Sequence, residues 1–499
     1  MKKQILYLGQ ILLATMITAC QPQTKQKPNI VFIFTDDQTY DAIHALGNEE
    51  IITPNMDRLV QEGTTFTHAY NMGAWNGAVC AASRAQMVSG RSVWRVNQFR
   101  KHWQKGDSLD KTWGQLMKKA GYDTYMTGKW HVDAPAPKVF DSTAHIRPGM
   151  PQDYWDHATM VRQFAELVDT GLKKSEEIMP LGYNRPQSPA DTAWRPDDPA
   201  MGGYWAGGQH WSEVLRDDAL DFIDQASKRD NPFFMYLAFN APHDPRQAPA
   251  AYQEIYDTVD ISLPESWVAE YPYQDLIGNG PSLRDEALAP FPRTEFATKT
   301  HIKEYYALIT HLDDQIGQIL DALEQSGQMD NTYIFFTADH GLAMGRHGLI
   351  GKQSLYDHSV RPPFMVVGPE VPHGRQIDAD IYLQDVMASA LDLAGVDKPD
   401  YVEFNSVMPL IRGEKLQQYD AIYGAYVDTQ RSVRKDGFKL IVYPKAEQLL
   451  LFDLNNDPEE ITNLADNPEY KGKIRELFDE LMVLQVHFRD SLDISWMKP

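Results

Sequence analysis

The sequence predicts an α/β fold. A large doubly wound, mostly parallel sheet flanked by helices is followed by a small C-terminal α+β subdomain containing an antiparallel sheet. Three observations predict it. Asn29 to Thr35 (Asn-Ile-Val-Phe-Ile-Phe-Thr) is a near-continuous apolar run, the pattern of a strand covered on both faces. Similar runs at Pro232–Phe239, Thr332–Thr337 and Phe364–Val367, with a more polar one at Tyr122–Thr127, alternate with stretches of helical period. Beyond Gly413 the pattern changes to short strand candidates and one terminal helix.

The helical stretches follow in order. Thr53-Pro54 opens the first, with Thr as cap, Pro at the first helical position and Gly63 past its end. Alanine density predicts a helix starting near Cys80. Trp113, Leu116, Met117 and Ala120 keep helical spacing up to Gly121, and Leu215, Ala219, Phe222 and Ile223 do so before the Pro232 strand. Leu312, Ile316, Ile319, Leu320 and Leu323 form the longest stripe, closed near Gly327. From Asp141 to Gly208 the chain is rich in Pro, Gly, Trp and Asp without a clean period. It reads as a long insertion of irregular loops and short helices, the kind of segment that selects substrates. The C-terminal strand candidates are Ala421–Val427, Phe438–Tyr443 and Leu449–Leu454, with a hairpin turn at Lys435-Asp436-Gly437 and a helix over Tyr470–Phe488.

Length and charge bound the function. The chain has 499 residues, long enough for one large α/β domain with an appendage. Its 69 acidic and 47 basic residues give a net charge of −22, a field that repels nucleic acid and anionic lipid surfaces. A sulfated or phosphorylated substrate is repelled too, so an anion site here has to be a local positive pocket. The start reads as an export signal: Lys2 and Lys3, an apolar stretch from Ile5 to Ile17, then Thr18-Ala19-Cys20. Cys directly after Ala19 resembles a bacterial lipobox. The expected division is a signal peptide over 1–19, a lipidated tether over 20–28 beginning at Cys20, a catalytic domain over 29–412 and the C-terminal subdomain over 413–499. That places the protein as an exported lipoprotein, in the periplasm or at the cell surface, held to the outer membrane of a Gram-negative bacterium by its lipid alone. Cys80 is then a lone thiol in an oxidising compartment, to be either buried or chemically used.

Ligands in open parallel sheets bind beyond the carboxyl ends of the strands, and the chemically capable residues fall there. Asp36-Asp37 follows the first strand and Asp339-His340 the Thr332 strand. Converging carboxylates need a cation, and oxygen-rich ligation favours a hard ion such as calcium or magnesium, while a His ligand leaves zinc or manganese open. Cys80 at a helix N-terminus would sit where amides and dipole attract anions, with Arg84 one turn later on the same face; a lone cysteine is more often a small buried hydrophobe. Lys129-Trp130-His131, Pro242-His243 and Gly351-Lys352 place cations at three further strand ends or loops. Each Lys alone reads as solvated and each His alone as structural, but together they could neutralise a compact anion.

These residues resemble the formylglycine-dependent (type I) sulfatases of the alkaline phosphatase superfamily. The family signature, Cys/Ser-x-Pro/Ala-x-Arg followed by small residues up to Gly-Arg, reads here as Cys80-Ala81-Ala82-Ser83-Arg84 … Ser89-Gly90-Arg91. The match continues through Asn29-Ile30-Val31 … Asp36-Asp37, Gly128-Lys129-Trp130-His131, Pro242-His243, Asp339-His340-Gly341 and Gly351-Lys352, with Leu451-Phe452-Asp453-Leu454 … Asn463-Leu464 as a C-terminal signature. The motifs run in family order over the mature chain. Ala82 stands where many members carry Pro, and His340 where many carry Asn.

The resemblance implies an alkaline phosphatase-like fold and a chemistry. A separate maturation enzyme would oxidise Cys80 to formylglycine (3-oxoalanine), whose hydrate attacks sulfur, expels the alcohol and releases sulfate by collapsing to the aldehyde. Asp36, Asp37, Asp339 and His340 would hold calcium, ahead of magnesium. Arg84 would orient the formylglycine; Lys129, His243 and Lys352 would bind sulfate oxygens. His243 would protonate the leaving oxygen and His131 would help remove the hydroxyl proton. The implied activity is exo-acting removal of a sulfate ester from a saccharide in sulfated-glycan degradation. Two rivals stand beside it: a phosphodiesterase or phosphonate hydrolase of the same superfamily, and a non-catalytic lipoprotein that binds sulfated glycans. Candidate sugar contacts, from the irregular segments and near them, are His102, Arg185, Trp194, Arg195, His210 and Arg246.

Overall fold

The computed structural model describes residues 27–151, 164, 166–179, 186 and 188–499. The strands used below are β1 (Asn29–Thr35), β2 (Thr64–Phe66), β3 (Gly73–Ala74), β4 (Asp123–Lys129), β5 (Ser142–Arg147), β6 (Phe233–Ala238), β7 (Thr332–Ala338), β8 (Phe364–Val367) and β9 (Arg375–Ile377). Those of the C-terminal part are β10 (Ile422–Tyr426), β11 (Gln430–Lys435), β12 (Phe438–Tyr443) and β13 (Gln448–Asp453). The helices are α1 (Pro54–Glu62), α2 (Val79–Ser89), α3 (Val93–Gln104), α4 (Trp113–Lys119), α5 (Trp211–Ser227), α6 (Glu295–Gln325), α7 (Asp385–Leu393) and α8 (Lys471–Phe488).

The expected α/β architecture is present. An eight-stranded sheet runs β9-β2-β8-β7-β1-β6-β4-β5. Its middle is parallel: Asn29 pairs with Thr332, Ile30 with Phe234, Asp123 with Phe233 and Tyr125 with Ser142. β8 is antiparallel to β7 and β2. Strand β1 shows why its sequence is apolar throughout. Ile30, Phe32 and Phe34 enter one buried cluster, with Val88 of α2, Trp103 of α3, Met117 of α4 and Val386 of α7. Val31 and Ile33 enter the other, with Leu59 of α1, Phe222 of α5 and Leu312 of α6. Each side chain of the strand therefore leaves water, whichever face it takes. Among the described residues no helix is long and apolar enough to cross a membrane.

Several local expectations differ. Thr53 does not cap α1 through its hydroxyl. The buried carboxylate of Asp313, from α6, accepts the Asn55 and Met56 amides instead, at 3.0 and 2.7 Å. Helix α6 starts at Glu295, well before the Leu312 stripe, and the Thr294 hydroxyl caps it by accepting the Ala297 amide at 3.1 Å. Its first half buries His301, Glu304, Tyr305, Thr310 and His311, polar groups that interrupt the apolar period. The segment read as irregular from Asp141 opens with β5, a half-exposed edge strand that has no reason to be apolar. Strand β11 has no apolar signature because Arg431 and Arg434 are buried in it; they pair with Asp490 and Asp380.

The C-terminal sheet has the order β13-β12-β11-β10-β3. Its outer strand is Gly73–Ala74, from far upstream, paired in parallel with Ala425–Tyr426. Asp436 and Gly437 form the expected hairpin turn with φ of 52° and 76°. Ile474, Leu477, Phe478 and Leu481 of α8 pack on Val433, Leu440 and Val442. Gly73 has φ of 98°, and a Cβ there would lie 1.9 Å from the Ala425 carbonyl oxygen. Gly73→Ala is expected to part β3 from β10 and cost about 3 kcal/mol, read as a lower urea midpoint, with activity falling in the still-folded fraction because β3 leads directly into α2.

Candidate active site

The carboxyl ends of β1, β7, β6 and β4 lie at one edge of the sheet, since Thr35 is level with Ala338, and Phe34 and Gly128 are level with Ala238. The residues just beyond these ends are Asp36-Asp37, Asp339-His340, His243 and Lys129 to His131. Helix α2 points its N-terminus at the same place, with Cys80 in its first turn, 3% exposed. The side-chain ligand atoms of Asp36, Cys80, Asp339 and His340 all lie within 4.8 Å of one another, and those of Asp37, Cys80 and His243 form a second such group.

Ion pairs tie the cluster together. Arg84 Nε donates to Asp339 Oδ2 at 3.0 Å and Nη1 to the Lys129 carbonyl at 2.8 Å, while Nη2 lies 3.8 Å from Asp36 Oδ1. The guanidinium sits 4.5 Å over the Phe34 ring, so α2 is pinned to β1 beneath the site. Lys129 Nζ donates to Asp36. Lys352 Nζ lies 2.9 Å from both Asp37 oxygens and 3.4 Å from Cys80 Sγ. His340 Nε2 is 3.2 Å from Asp37 Oδ1 and 3.6 Å from Asp339 Oδ1.

Asp37 itself has φ of 71°, unusual for a residue with a side chain. It is held there by its own amide donating to Asp339 Oδ1 at 3.2 Å and by the Tyr305 hydroxyl donating to its carbonyl at 2.6 Å. Strained backbone kept in place by surrounding bonds is a mark of functional sites. His131 has φ of 52°.

The electrostatics follow from charges in a dry place. Burial alone would push the Cys80 thiol up, but Lys129, Lys352 and hydrogen bonds with His131 and His243 hold it well below the ordinary thiol range. Burial and the neighbouring Asp339 push Asp36 well up, against Lys129. Burial would also raise Asp339, but His340 and Arg84 hold it low; burial would lower His340, and Asp339 and Asp37 hold it up. His131 is pushed down, by burial first. Asp36 Oδ1 and His340 Nε2 are buried without a hydrogen-bond partner. An unsatisfied carboxylate oxygen beside an imidazole nitrogen in a carboxylate-rich cluster fits a divalent cation, because such groups are costly when unsatisfied.

A cavity of about 590 Å³ opens above Cys80. His131, His243 and Lys352 border it; Met150, Phe164 and Leu283 give it an apolar wall, and Arg284 and Asp285 a charged one. The ten residues expected at the active site are thus gathered in one place: Cys80, Arg84, Lys129, His131, His243, Lys352, Asp36, Asp37, Asp339 and His340. Lys129, expected to touch the anion, does not border the cavity; it is buried behind the thiol on Asp36. Cys20 lies outside the described residues.

The candidate sugar contacts fare differently. His102 is at the surface with Asp107 at 3.2 Å, and Arg195 is at the surface with Asp197 at 3.0 Å. His210 is buried with its ring 4.7 Å from that of His311, Trp194 is buried, and Arg246 donates to His301 at 2.8 Å inside the fold. None of these borders the cavity, and Arg185 lies outside the described residues. Sequence reasoning passed over residues 282–286 and Gln353. Arg284-Asp285-Glu286, three consecutive charges, was the available signal, but nothing in its pattern announces that two of the three carry buried carboxylates.

Comparison with known proteins agrees with this geometry. A family model described as Sulfatase matches residues 28–396, and one described as N-sulphoglucosamine sulphohydrolase, C-terminal, matches residues 345–487. An arylsulfatase of Clostridium perfringens is 30% identical over 480 residues, covering 90% of this chain and 92% of its own. An N-acetylglucosamine-6-O-sulfatase of Bacteroides thetaiotaomicron is 25% identical over 527 residues, covering 98% of this chain and 91% of its own. A solved protein in complex with its substrate D-glucosamine-2-N,6-O-disulfate superposes with a TM-score of 0.68 at 22% identity, covering 93% of this chain and 99% of the other. The chain belongs to the sulfatase family, the sulfuric ester hydrolases with the alkaline phosphatase-like fold.

Proposed function

We propose that this sulfatase is an exo-acting carbohydrate sulfatase that uses formylglycine made from Cys80 and a calcium ion. One observation carries the reading: a buried thiol at a helix N-terminus, within 4.8 Å of carboxylate and imidazole ligand atoms, at the floor of a cavity of about 590 Å³. The family relatives whose names specify sulfated sugars support the saccharide. The cavity is of a size for a monosaccharide unit, and small-molecule sites run from about 300 to 1,000 Å³.

Asp36, Asp37, Asp339 and His340 would hold the metal in this reading, and calcium there would supply Lewis-acid polarisation of a sulfate oxygen. Residue 80, as formylglycine, would supply a hydrated-aldehyde nucleophile. Lys352 and His243 bind sulfate oxygens from the cavity floor. Lys129, buried on Asp36, contributes positive charge from behind and not by contact. Arg84 fixes the orientation of residue 80 through the α2 turn between them. His243, acting as the imidazolium with its other N–H held by Asp244, would hand the proton on Nε2 to the ester oxygen as the S–O bond breaks, the bonding electrons staying on that oxygen. His131, kept neutral by burial and hydrogen-bonded to residue 80, accepts the hydroxyl proton there.

The remaining parts of the reading are the signal peptide over 1–19, lipidation at Cys20, a periplasmic or surface location on the outer membrane, and a catalytic domain over 29–412 followed by the 413–499 subdomain. The basic start, the apolar stretch and the Ala19-Cys20 junction support the first three, and the change of pattern beyond Gly413 supports the last.

Five outcomes test this function. Co-expression with a formylglycine-generating enzyme is expected to convert the Cys80 peptide to the aldehyde by mass spectrometry. Cys80→Ala should lower sulfate release at least about 1,000-fold; an unmodified thiol in a fully active enzyme would sink the proposal. With 4-nitrophenyl sulfate and 4-nitrophenyl phosphate as paired substrates, sulfate is expected to be released faster, and a preference for phosphate would favour the phosphohydrolase reading. Chelation should abolish activity and calcium restore it, while His340→Ala raises the calcium needed for half-maximal activity by about 10- to 100-fold.

A further inference from the structure

Residues Ser282 to Asp285 form a strip along the cavity and, with the buried Glu286 that follows, tie down the groups around it. Glu286, fully buried, accepts the Ile350 and Gly351 amides at 2.9 Å each and pairs with Arg293, which fixes the loop leading into Lys352. Asp285 accepts from Gln353 Nε2 at 2.7 Å and lies 3.8 Å from Lys352 Nζ. Arg284 lies between these and the other side of the cavity. Its guanidinium pairs with Asp285 and with both oxygens of Asp244.

Asp244 is the residue next to His243. His243 Nδ1 lies 2.8 Å from the Asp244 carbonyl oxygen and 3.2 Å from its Oδ1. Both of these are acceptors, so Nδ1 carries a hydrogen and Nε2 is the nitrogen turned to the cavity side, 3.7 Å from Asp37 Oδ2. The Tyr204 hydroxyl donates to the same Asp244 carbonyl at 2.8 Å. Burial would push Asp244 up, and Arg284, ahead of His243, holds it well below the usual carboxylate range. A buried carboxylate stripped of its guanidinium has to be repaired by a proton or by moving, and either loosens what it holds.

We propose that Arg284 is a positioning residue for His243: by clamping Asp244 it fixes the ring so that Nε2 faces the leaving oxygen. The inference rests on the reading of His243 as proton donor to that oxygen. Arg284 also pairs with Asp285, which lies 3.8 Å from Lys352 Nζ, but Lys352 is held more closely by Asp37, at 2.9 Å. Removing Arg284 therefore impairs protonation of the departing alcohol more than it weakens the hold on sulfate.

The test is a leaving-group series of aryl sulfates, from 4-nitrophenyl to unsubstituted phenyl, hydrolysed by the matured full-length enzyme. A good leaving group needs no proton and a poor one does. Arg284→Gln is expected to lower kcat/KM less than about 5-fold on 4-nitrophenyl sulfate and about 100-fold on phenyl sulfate. Asp244→Asn should steepen the dependence in the same way, and the double variant should be no worse than the worse single one, because both act through one contact. Arg284→Lys, with one ammonium that cannot fork across two carboxylates, should fall between; it and Asp244→Asn carry the test if Arg284→Gln fails to melt cooperatively. Parallel losses on all esters in the folded variants would overturn the role of Arg284. His243→Ala distinguishes the underlying reading: if it leaves the leaving-group dependence of the wild type unchanged, His243 is not the donor and both fall together; if it steepens that dependence while the Arg284 variants do not, only the Arg284 inference fails.

Discussion

The site depends on charge compensation inside a dry volume. Asp36, Asp37 and Asp339 are buried with Arg84, Lys129 and Lys352, all with side chains no more than 2% exposed. No member of such a set is stable alone, because a buried charge without a partner costs several kcal/mol. The same mutual dependence lowers the Cys80 thiol and lifts His340. The cations also act as mechanical ties. Arg84 joins α2 to the ends of β4 and β7, and Lys352 joins its loop to the end of β1.

The sheet makes this crowding possible. Four parallel strands end in register, so residues from distant parts of the chain emerge within a few ångströms of one another. In return every central strand must be covered on two faces, and two separate apolar clusters do that. The strained backbone at Asp37 persists because the bonds from Asp339 and Tyr305 are anchored in these rigid layers.

Much of this was legible in the sequence because it was local. The apolar runs at Asn29 and Thr332 announced buried strands, and the carboxylates just after them announced the site. What was illegible depended on partners far along the chain. Helix α1 is capped by Asp313 and not by Thr53, and no pattern near Thr53 records that. Arg431 and Arg434 hid β11, since a buried arginine reads as exposed until its aspartate is known. The sugar contacts were sought among polar and aromatic residues of the irregular segment, yet His210 and Arg246 commit those groups to His311 and His301. The wall of the cavity falls to Met150, Phe164 and the 282–285 strip, where an apolar or paired residue carries no sign of a ligand.

The pairing of Gly73–Ala74 with Ala425–Tyr426 sets an order of events during synthesis. The edge that leads towards α2 acquires its neighbour only after hundreds of further residues have left the ribosome. Closing so long a loop is slow compared with forming local turns. Until then the short strand just ahead of the thiol-bearing helix keeps an unpaired edge.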